Sequence, residues 1–230
     1  DTTVTAQFKT IPGSLPEELQ GDISLYILAW TTTPWTLPSN TALTVGRNID
    51  YIVVSTFNQY TFEPVRLILA KDLLIKQFGK TYESSDTLEN YKSGDKKIPY
   101  LIEIEIKGSK LLEIRYEQLW LESPLPLENP ENAFRVISGD FVTTEDGTGV
   151  VHTAPTFGAD DAKVAKEASP EIPPLLILDE NNNKVPLVDL QGRFRKEVGK
   201  LGKRFVKNDY YPKGTAPERS TDVEIAIQLK

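Results

Sequence analysis

The protein's one histidine, His152, sits between a Gly-Thr-Gly turn (Gly147, Thr148, Gly149) and an Ala-Pro loop, and two aspartates, Asp160 and Asp161, follow shortly after it. An imidazole can shape a cavity or hydrogen-bond a bound group, and a carboxylate can hold an ammonium. A second segment, Trp30-Thr31-Thr32-Thr33-Pro34-Trp35-Thr36-Leu37-Pro38-Ser39-Asn40, supplies three consecutive hydroxyls and then two prolines. Each proline lacks an N–H and restrains its predecessor, so no regular element continues there. The segment should be a rigid loop that presents hydroxyls and free backbone amides. No Gly-x-Ser-x-Gly elbow and no cysteine is present, so any hydrolysis would use water as the nucleophile. Gly147 and Gly149 lack the Lys-Ser/Thr sequel of a phosphate loop, and the order strand, loop, helix is wrong for one. Ordinary structural readings stand beside these. The threonines suit a strand end, the Pro-Trp-Thr-Leu-Pro run suits a hydrophobic corner, a lone histidine is commonly a satisfied core residue, and aspartates at a helix start are commonly caps.

Elements that would position these residues are mostly strands. At the N-terminal end Val4, Ala6 and Phe8 alternate with polar partners, and at the C-terminal end Val223, Ile225, Ile227 and Leu229 do the same, predicting terminal strands at 3–9 and 221–230. Both would lead on into another domain, as expected of a segment inserted in a larger chain. Short apolar runs predict further strands at 24–31, 52–56, 65–70, 101–106, 134–137, 149–153, 175–178 and 184–188. Asn181, Asn182 and Asn183 fit a tight hairpin between the last two, since asparagine tolerates positive φ. Helical stretches are few: 71–78, 159–168 and 193–198. The polar segments 82–97 and 122–132 read as surface loops. The regular strand–helix rhythm of a doubly wound sheet is missing, so the expectation is a mainly β fold with peripheral helices around a barrel-like β core.

Composition removes several classes. With 230 residues, 39% of them hydrophobic, the chain can bury a core as one domain spanning 1–230. The absence of cysteine and the single histidine exclude disulfides and imidazole or thiolate metal centres, so no metal or cofactor is expected. No apolar run approaches the ~20 residues needed to cross a bilayer, and no secretory signal is visible, so a soluble cytoplasmic chain without membrane partners is expected. A net charge of -7 argues against a stand-alone nucleic-acid binder. That average conceals a stretch at 191–213 with eight basic residues against two acidic ones; without it the rest of the chain carries -13. Arg193, Arg195, Lys196, Lys200, Lys203 and Arg204 are therefore the candidate contacts to a nucleic-acid backbone, or else simply a solvated basic face.

Two motifs in order and at the right separation carry a resemblance. The Thr-Thr-Thr-Pro-Trp-Thr-Leu-Pro-x-Asn run of residues 31–40, joined to Gly-Thr-Gly-Val-Val-His-Thr-Ala-Pro at 147–155 and to Asp161, resembles the editing-site signature of isoleucyl-tRNA synthetases. Related leucyl and valyl enzymes typically carry Thr-Thr-Arg-Pro-Glu-Thr in the first run and lack the histidine in the second. Thr33, Trp35 and His152 thus point to the isoleucyl branch. The resemblance spans most of the chain apart from 63–99, with one departure: Phe157 stands where many bacterial members have a histidine. Neither His-x-Gly-His nor Lys-Met-Ser-Lys-Ser occurs, and methionine is absent, so the machinery that activates amino acids with ATP is not in this chain.

The resemblance implies an editing domain that hydrolyses valine wrongly esterified to the isoleucine tRNA. Binding alone separates amino acids that differ by one methylene by only about 1–3 kcal/mol, which is why such families need a second, size-selective site. Its implied partners are the 3′ end of that tRNA carrying valine and the catalytic core of the same parent chain, with the domain itself monomeric. Carried over residue by residue, Asp161 would pair with the substrate's α-ammonium. Thr31, Thr32 and Thr33 would hold the terminal ribose and ester and position water, and His152 would orient the acyl group or wall it off by size. Trp35, Asn40 and Thr153 would add substrate contacts. Two alternatives remain open at this stage: a non-catalytic module that captures a tRNA 3′ end or a ligand once excised, and an editing domain of the valyl or leucyl type.

Overall fold

The computed structural model describes residues 2–230. These residues build three sheets and three short α-helices. The largest sheet contains β1 (Val4–Lys9), β2 (Leu25–Thr31), β4 (Asp50–Phe57), β5 (Pro64–Ala70), β6 (Tyr82–Ser84) and β7 (Ile98–Lys107), in the order β1-β2-β5-β4-β7-β6. Two pairings in it, β2 with β5 and β6 with β7, are parallel; the others are antiparallel. A second sheet has β3 (Ala42–Val45) at its centre, parallel to β8 (Arg135–Ser138) and antiparallel to β9 (Val150–Thr153). The hairpin β10 (Leu176–Leu178) and β11 (Lys184–Pro186) is the third.

The mainly β expectation with peripheral helices holds, but among the described residues no sheet closes into a barrel. The six-stranded and three-stranded sheets instead share one core. A single cluster of buried side chains runs from Ala6 and Phe8 through Ile27, Leu43, Val53 and Val136 to Ile225. β4 lies between β5 and β7 and is buried on both faces, which accounts for its apolar run Tyr51–Val54. β3 escaped the sequence reading because it is short and Thr44 interrupts its apolar run. Its four residues are all buried, so no alternation marks them.

Two helical expectations hold: residues 71–78 form a 3₁₀ turn that leads into α1 (Leu74–Phe78), and α2 is Ala159–Glu167. The expected helix at 193–198 does not form. Arg193 and Phe194 bridge instead to Phe205 and Val188, in a segment broken by left-handed glycines at 192 and 199. The expected terminal strand at 221–230 is a correction as well, because this segment is helix α3 (Thr221–Gln228). Ser220 caps it by accepting from the Val223 amide, and Asp222 and Glu224 lie in its first turn, where the helix dipole favours anions. Thr221 and Ile225, four residues apart, are buried whereas Ile227 is exposed, so helical rather than alternating periodicity decides which side chains go inside. The Asn181–Asn183 turn forms as expected, with Asn182 at φ 61° and the Asp179 carboxylate accepting from the amides of Asn181 and Asn183. Among the described residues no helix is long and apolar enough to cross a membrane.

Candidate functional site

β2 ends at Thr31, and the two prolines at 34 and 38 turn the following residues into a 3₁₀ helix, Pro34–Ser39, which carries the chain from the large sheet to β3 of the second sheet. β9 runs antiparallel to β3 and places His152 opposite Leu43. The Gly-Thr-Gly turn before β9 fits tightly against the large sheet. Gly149 has φ 73°, and a Cβ there would approach that of Ala70 to 2.4 Å. The Thr148 hydroxyl donates to the Leu28 carbonyl at 2.7 Å, and its own carbonyl accepts from the Ala70 amide at 2.8 Å. These contacts bring the end of β9 against the end of β2.

Where the two ends meet lies a cleft of about 320 Å³, lined by Trp30, Thr31, Thr32, Thr33, Thr36, Val151, His152, Ala154, Phe157, Gly158 and Asp161. All five residues predicted to do the chemistry, Thr31, Thr32, Thr33, His152 and Asp161, line it. The Thr31 hydroxyl accepts from the Thr33 amide at 3.0 Å and lies 3.2 Å from the Thr33 hydroxyl, which closes the loop on itself. Thr32 is exposed, and its hydroxyl has no partner within the described residues.

Behind the cleft wall, His152 is held at both nitrogens. The Asn40 side-chain amide donates to the Ala42 carbonyl at 2.9 Å and lies 2.9 Å from His152 Nδ1. An amide NH₂ only donates, so Nδ1 accepts and the ring proton belongs on Nε2. Nε2 then donates to the Thr36 hydroxyl at 2.9 Å, and Thr36 passes its own proton to the Thr33 carbonyl at 2.9 Å. Burial without a carboxylate partner lowers the His152 pKa from 6.5 to about 4, so the ring is neutral at physiological pH. With one nitrogen acting as donor and the other as acceptor inside the protein, the ring has no free lone pair with which to take a proton.

Asp161 lies in the first turn of α2, where its Oδ2 accepts from the Ala154 amide at 2.8 Å and so ties the helix to the end of β9. Burial raises its pKa, the Ala154 amide works against that rise, and the neighbouring Asp160 adds to it. Gly158 makes room for the carboxylate, because a Cβ there would meet Asp161 Cγ at 2.9 Å.

Other predicted contacts lie away from the cleft. Asn40 is buried behind His152. Thr153 alternates with His152 along β9, is fully buried, and shares a 2.7 Å hydrogen bond with Thr44. Trp35 is half-buried beneath the loop and packs edge-on against Phe157, ring centroids 5.0 Å apart. Of the basic candidates, Arg193 pairs with Asp189, Lys196 with Glu180 and Lys200 with Glu122. Arg195 and Arg204 donate to the carbonyls of Pro186 and Arg219. Lys203 is exposed and makes no ion pair among the described residues. Sequence reasoning missed Trp30, Thr36, Val151, Ala154, Phe157 and Gly158 as lining residues, and it missed Tyr116 and Asp222 as supports of the site. Thr36 could have been found from its place inside the motif, whereas Tyr116 and Asp222 carry no local signal.

No protein-family model matches the chain. Along its whole length it is 50% identical to the isoleucine–tRNA ligase of Cytophaga hutchinsonii over 241 aligned residues, 20% of that relative. To the isoleucine–tRNA ligase of Bacteroides fragilis it is 48% identical over 248 residues, again with the whole chain covered and 21% of the relative. The chain therefore spans about a fifth of the length of these curated relatives. Similar solved structures include the P. knowlesi cytosolic leucyl-tRNA synthetase editing domain, with TM-score 0.49, 14% identity and coverage of 72% of this chain and 62% of that one. The P. falciparum counterpart has TM-score 0.49 and 11% identity, with coverage of 72% and 65%. With every residue of the chain aligned to these ligases at close to half identity, it belongs to the isoleucine–tRNA ligase family, as one segment of such a protein.

Proposed function

We propose that this segment is a proofreading hydrolase that releases valine wrongly esterified to the isoleucine tRNA, by attack of water on the ester carbonyl. The observation that carries this reading is the convergence of the Thr31–Thr33 loop, His152 and Asp161 on one cleft, with no side-chain nucleophile paired to a base. Asp161 keeps one carboxylate oxygen for a ligand while the other holds Ala154, which suits a carboxylate that binds the α-ammonium of an aminoacyl ester. The free hydroxyl of Thr32 and the loop amides suit the terminal ribose and the oxygen that gains charge as water adds. His152, neutral and engaged at both nitrogens, suits a wall that senses acyl size rather than a general base. With His152 engaged at both nitrogens, a hydroxyl of the substrate's own ribose would assist the water. The products are free valine and uncharged tRNA.

The continuous core from Ala6 to Ile225 supports one domain; on the editing reading its partners are the parent's catalytic core and the tRNA 3′ end. The basic stretch keeps fewer free cations than its composition implies, which favours weak tRNA affinity in isolation and a docking role for Lys203. The deciding experiment is deacylation of valyl- and isoleucyl-tRNA, both on the isoleucine tRNA, by the wild-type chain and by Asp161→Asn. Selective release of valine that the variant loses supports the reading. Release of neither amino acid, with tRNA binding retained, would sink it in favour of a recognition module.

A further inference from the structure

The hydrogen bonds that hold His152 begin at a residue that does not line the cleft. Tyr116 is buried, with its ring set edge-on against Phe8 at 5.3 Å and Phe134 at 6.1 Å, and its hydroxyl donates to Asn40 Oδ1 at 2.7 Å. From there each proton in the chain has one direction: phenol to Asn40, Asn40 to Nδ1, Nε2 to Thr36, Thr36 to the Thr33 carbonyl. We propose that Tyr116 is a positioning residue for the cleft, which fixes the tautomer and placement of His152 and thereby the discrimination between acyl groups that differ by one methylene. This rests on the editing reading above.

The argument follows from the direction of each donor. Asn40 Oδ1 has the phenol as its donor, so the opposite end of the amide, Nδ2, must face both Ala42 and His152. Burial pushes the Tyr116 phenol well above its ordinary range, so it remains a donor at every working pH. Without that hydroxyl, Asn40 Oδ1 is left unpaired in a buried place, and the amide is oriented by the Ala42 carbonyl alone. Each molecule in which the amide turns over presents an acceptor to Nδ1. The ring proton then moves to Nδ1, Nε2 becomes an acceptor, and the Thr36 hydroxyl turns toward it and releases the Thr33 carbonyl. In that population, removing one oxygen outside the cleft reverses the bonds to a wall residue and to the loop that the substrate would meet.

Because His152 is the protein's only histidine, nitrogen-15 spectra of the imidazole report this one ring without overlap. The wild type should show the proton on Nε2 and an unprotonated Nδ1. Tyr116→Phe keeps the ring and its aromatic contacts and should add an Nδ1-protonated population, while the preference for valyl over isoleucyl ester falls by roughly tenfold, the scale of one-methylene discrimination. Asn40→Asp, which replaces the donor by an acceptor at the same place, should move the proton to Nδ1 outright. An unchanged spectrum in folded Tyr116→Phe, or a changed spectrum with selectivity intact, overturns the inference. A wild-type chain that releases neither amino acid removes the editing reading and the selectivity claim with it, and the spectrum still decides the tautomer claim separately.

Discussion

The Asp222 carboxylate accepts a hydrogen bond from the Trp35 backbone amide at 2.9 Å and so ties the first turn of α3 to the loop that carries Thr31, Thr32 and Thr33. Trp35 lies at the start of a 3₁₀ helix, where backbone amides lack partners within the helix, and Asp222 supplies one from the far end of the chain. Burial raises the Asp222 pKa, with the Trp35 amide and Lys207 acting against that rise.

Asp222→Ala should therefore leave a partly buried amide unpaired and lower stability by about 1–3 kcal/mol. It should also slow valine release, because the loop loses its anchor. Asp222→Asn retains an acceptor and should recover most of both. Urea midpoints and single-turnover deacylation would check this, and equal loss in the two variants would mean that the charge, not the hydrogen bond, holds the loop.

Gly158→Ala addresses the seat of Asp161. The backbone there, φ −131°, is open to any residue, so the conflict is the new methyl against the Asp161 side chain, Cγ at 2.9 Å, Oδ2 at 3.1 Å and Cβ at 3.2 Å. Displacing the carboxylate by a fraction of an ångström should reduce deacylation on the order of 10- to 100-fold, while the strained bond to the Ala154 amide lowers folding stability by no more than about 1 kcal/mol. A variant with full activity would show that Asp161 needs no fixed seat.

His152 makes folding sensitive to acid. Its pKa falls from 6.5 to about 4 on folding, so between these values the unfolded chain takes up a proton that the folded chain refuses. The stability from burying the neutral ring is complete above pH 6.5 and drains away as pH falls toward 4, by on the order of 3 kcal/mol. Asp161 and Asp222, whose pKa values are raised on folding, act in the opposite sense, so the His152 share is best read by difference. Denaturation across this range should be steeper for the wild type than for His152→Gln; parallel curves would contradict the buried neutral ring.

Lys203 is the exposed basic candidate that forms no ion pair among the described residues. Lys203→Ala should weaken tRNA binding and flatten its salt dependence by about one phosphate contact. Lys200→Ala, which removes a cation already paired with Glu122, should change that slope less. Binding titrations at several salt concentrations would separate the two, and a flat response in both would mean the segment is a solvated face.

Sequence alone was enough for the strands with clear alternation or apolar runs, for α2 with its opening aspartates, for the Asn181–Asn183 turn, and for the two motifs that supply the cleft residues. These signals are local, and each is set by a few neighbouring side chains. What it read incorrectly is equally instructive. At 221–230 the alternation of Val223, Ile225 and Ile227 mimics a strand, and the cap at Ser220 with its acidic first turn outweighs it. Only the tertiary structure decided which motif residues share a surface. Thr153 and Asn40 belong to the motifs yet lie behind the wall, because β9 alternates and Asn40 is committed to His152. The supports Tyr116 and Asp222 come from segments 76 and 187 positions away from the groups they hold, and no spacing rule reaches that far. The state of His152 was also beyond the sequence, since a ring's tautomer depends on the partners that packing brings to its two nitrogens.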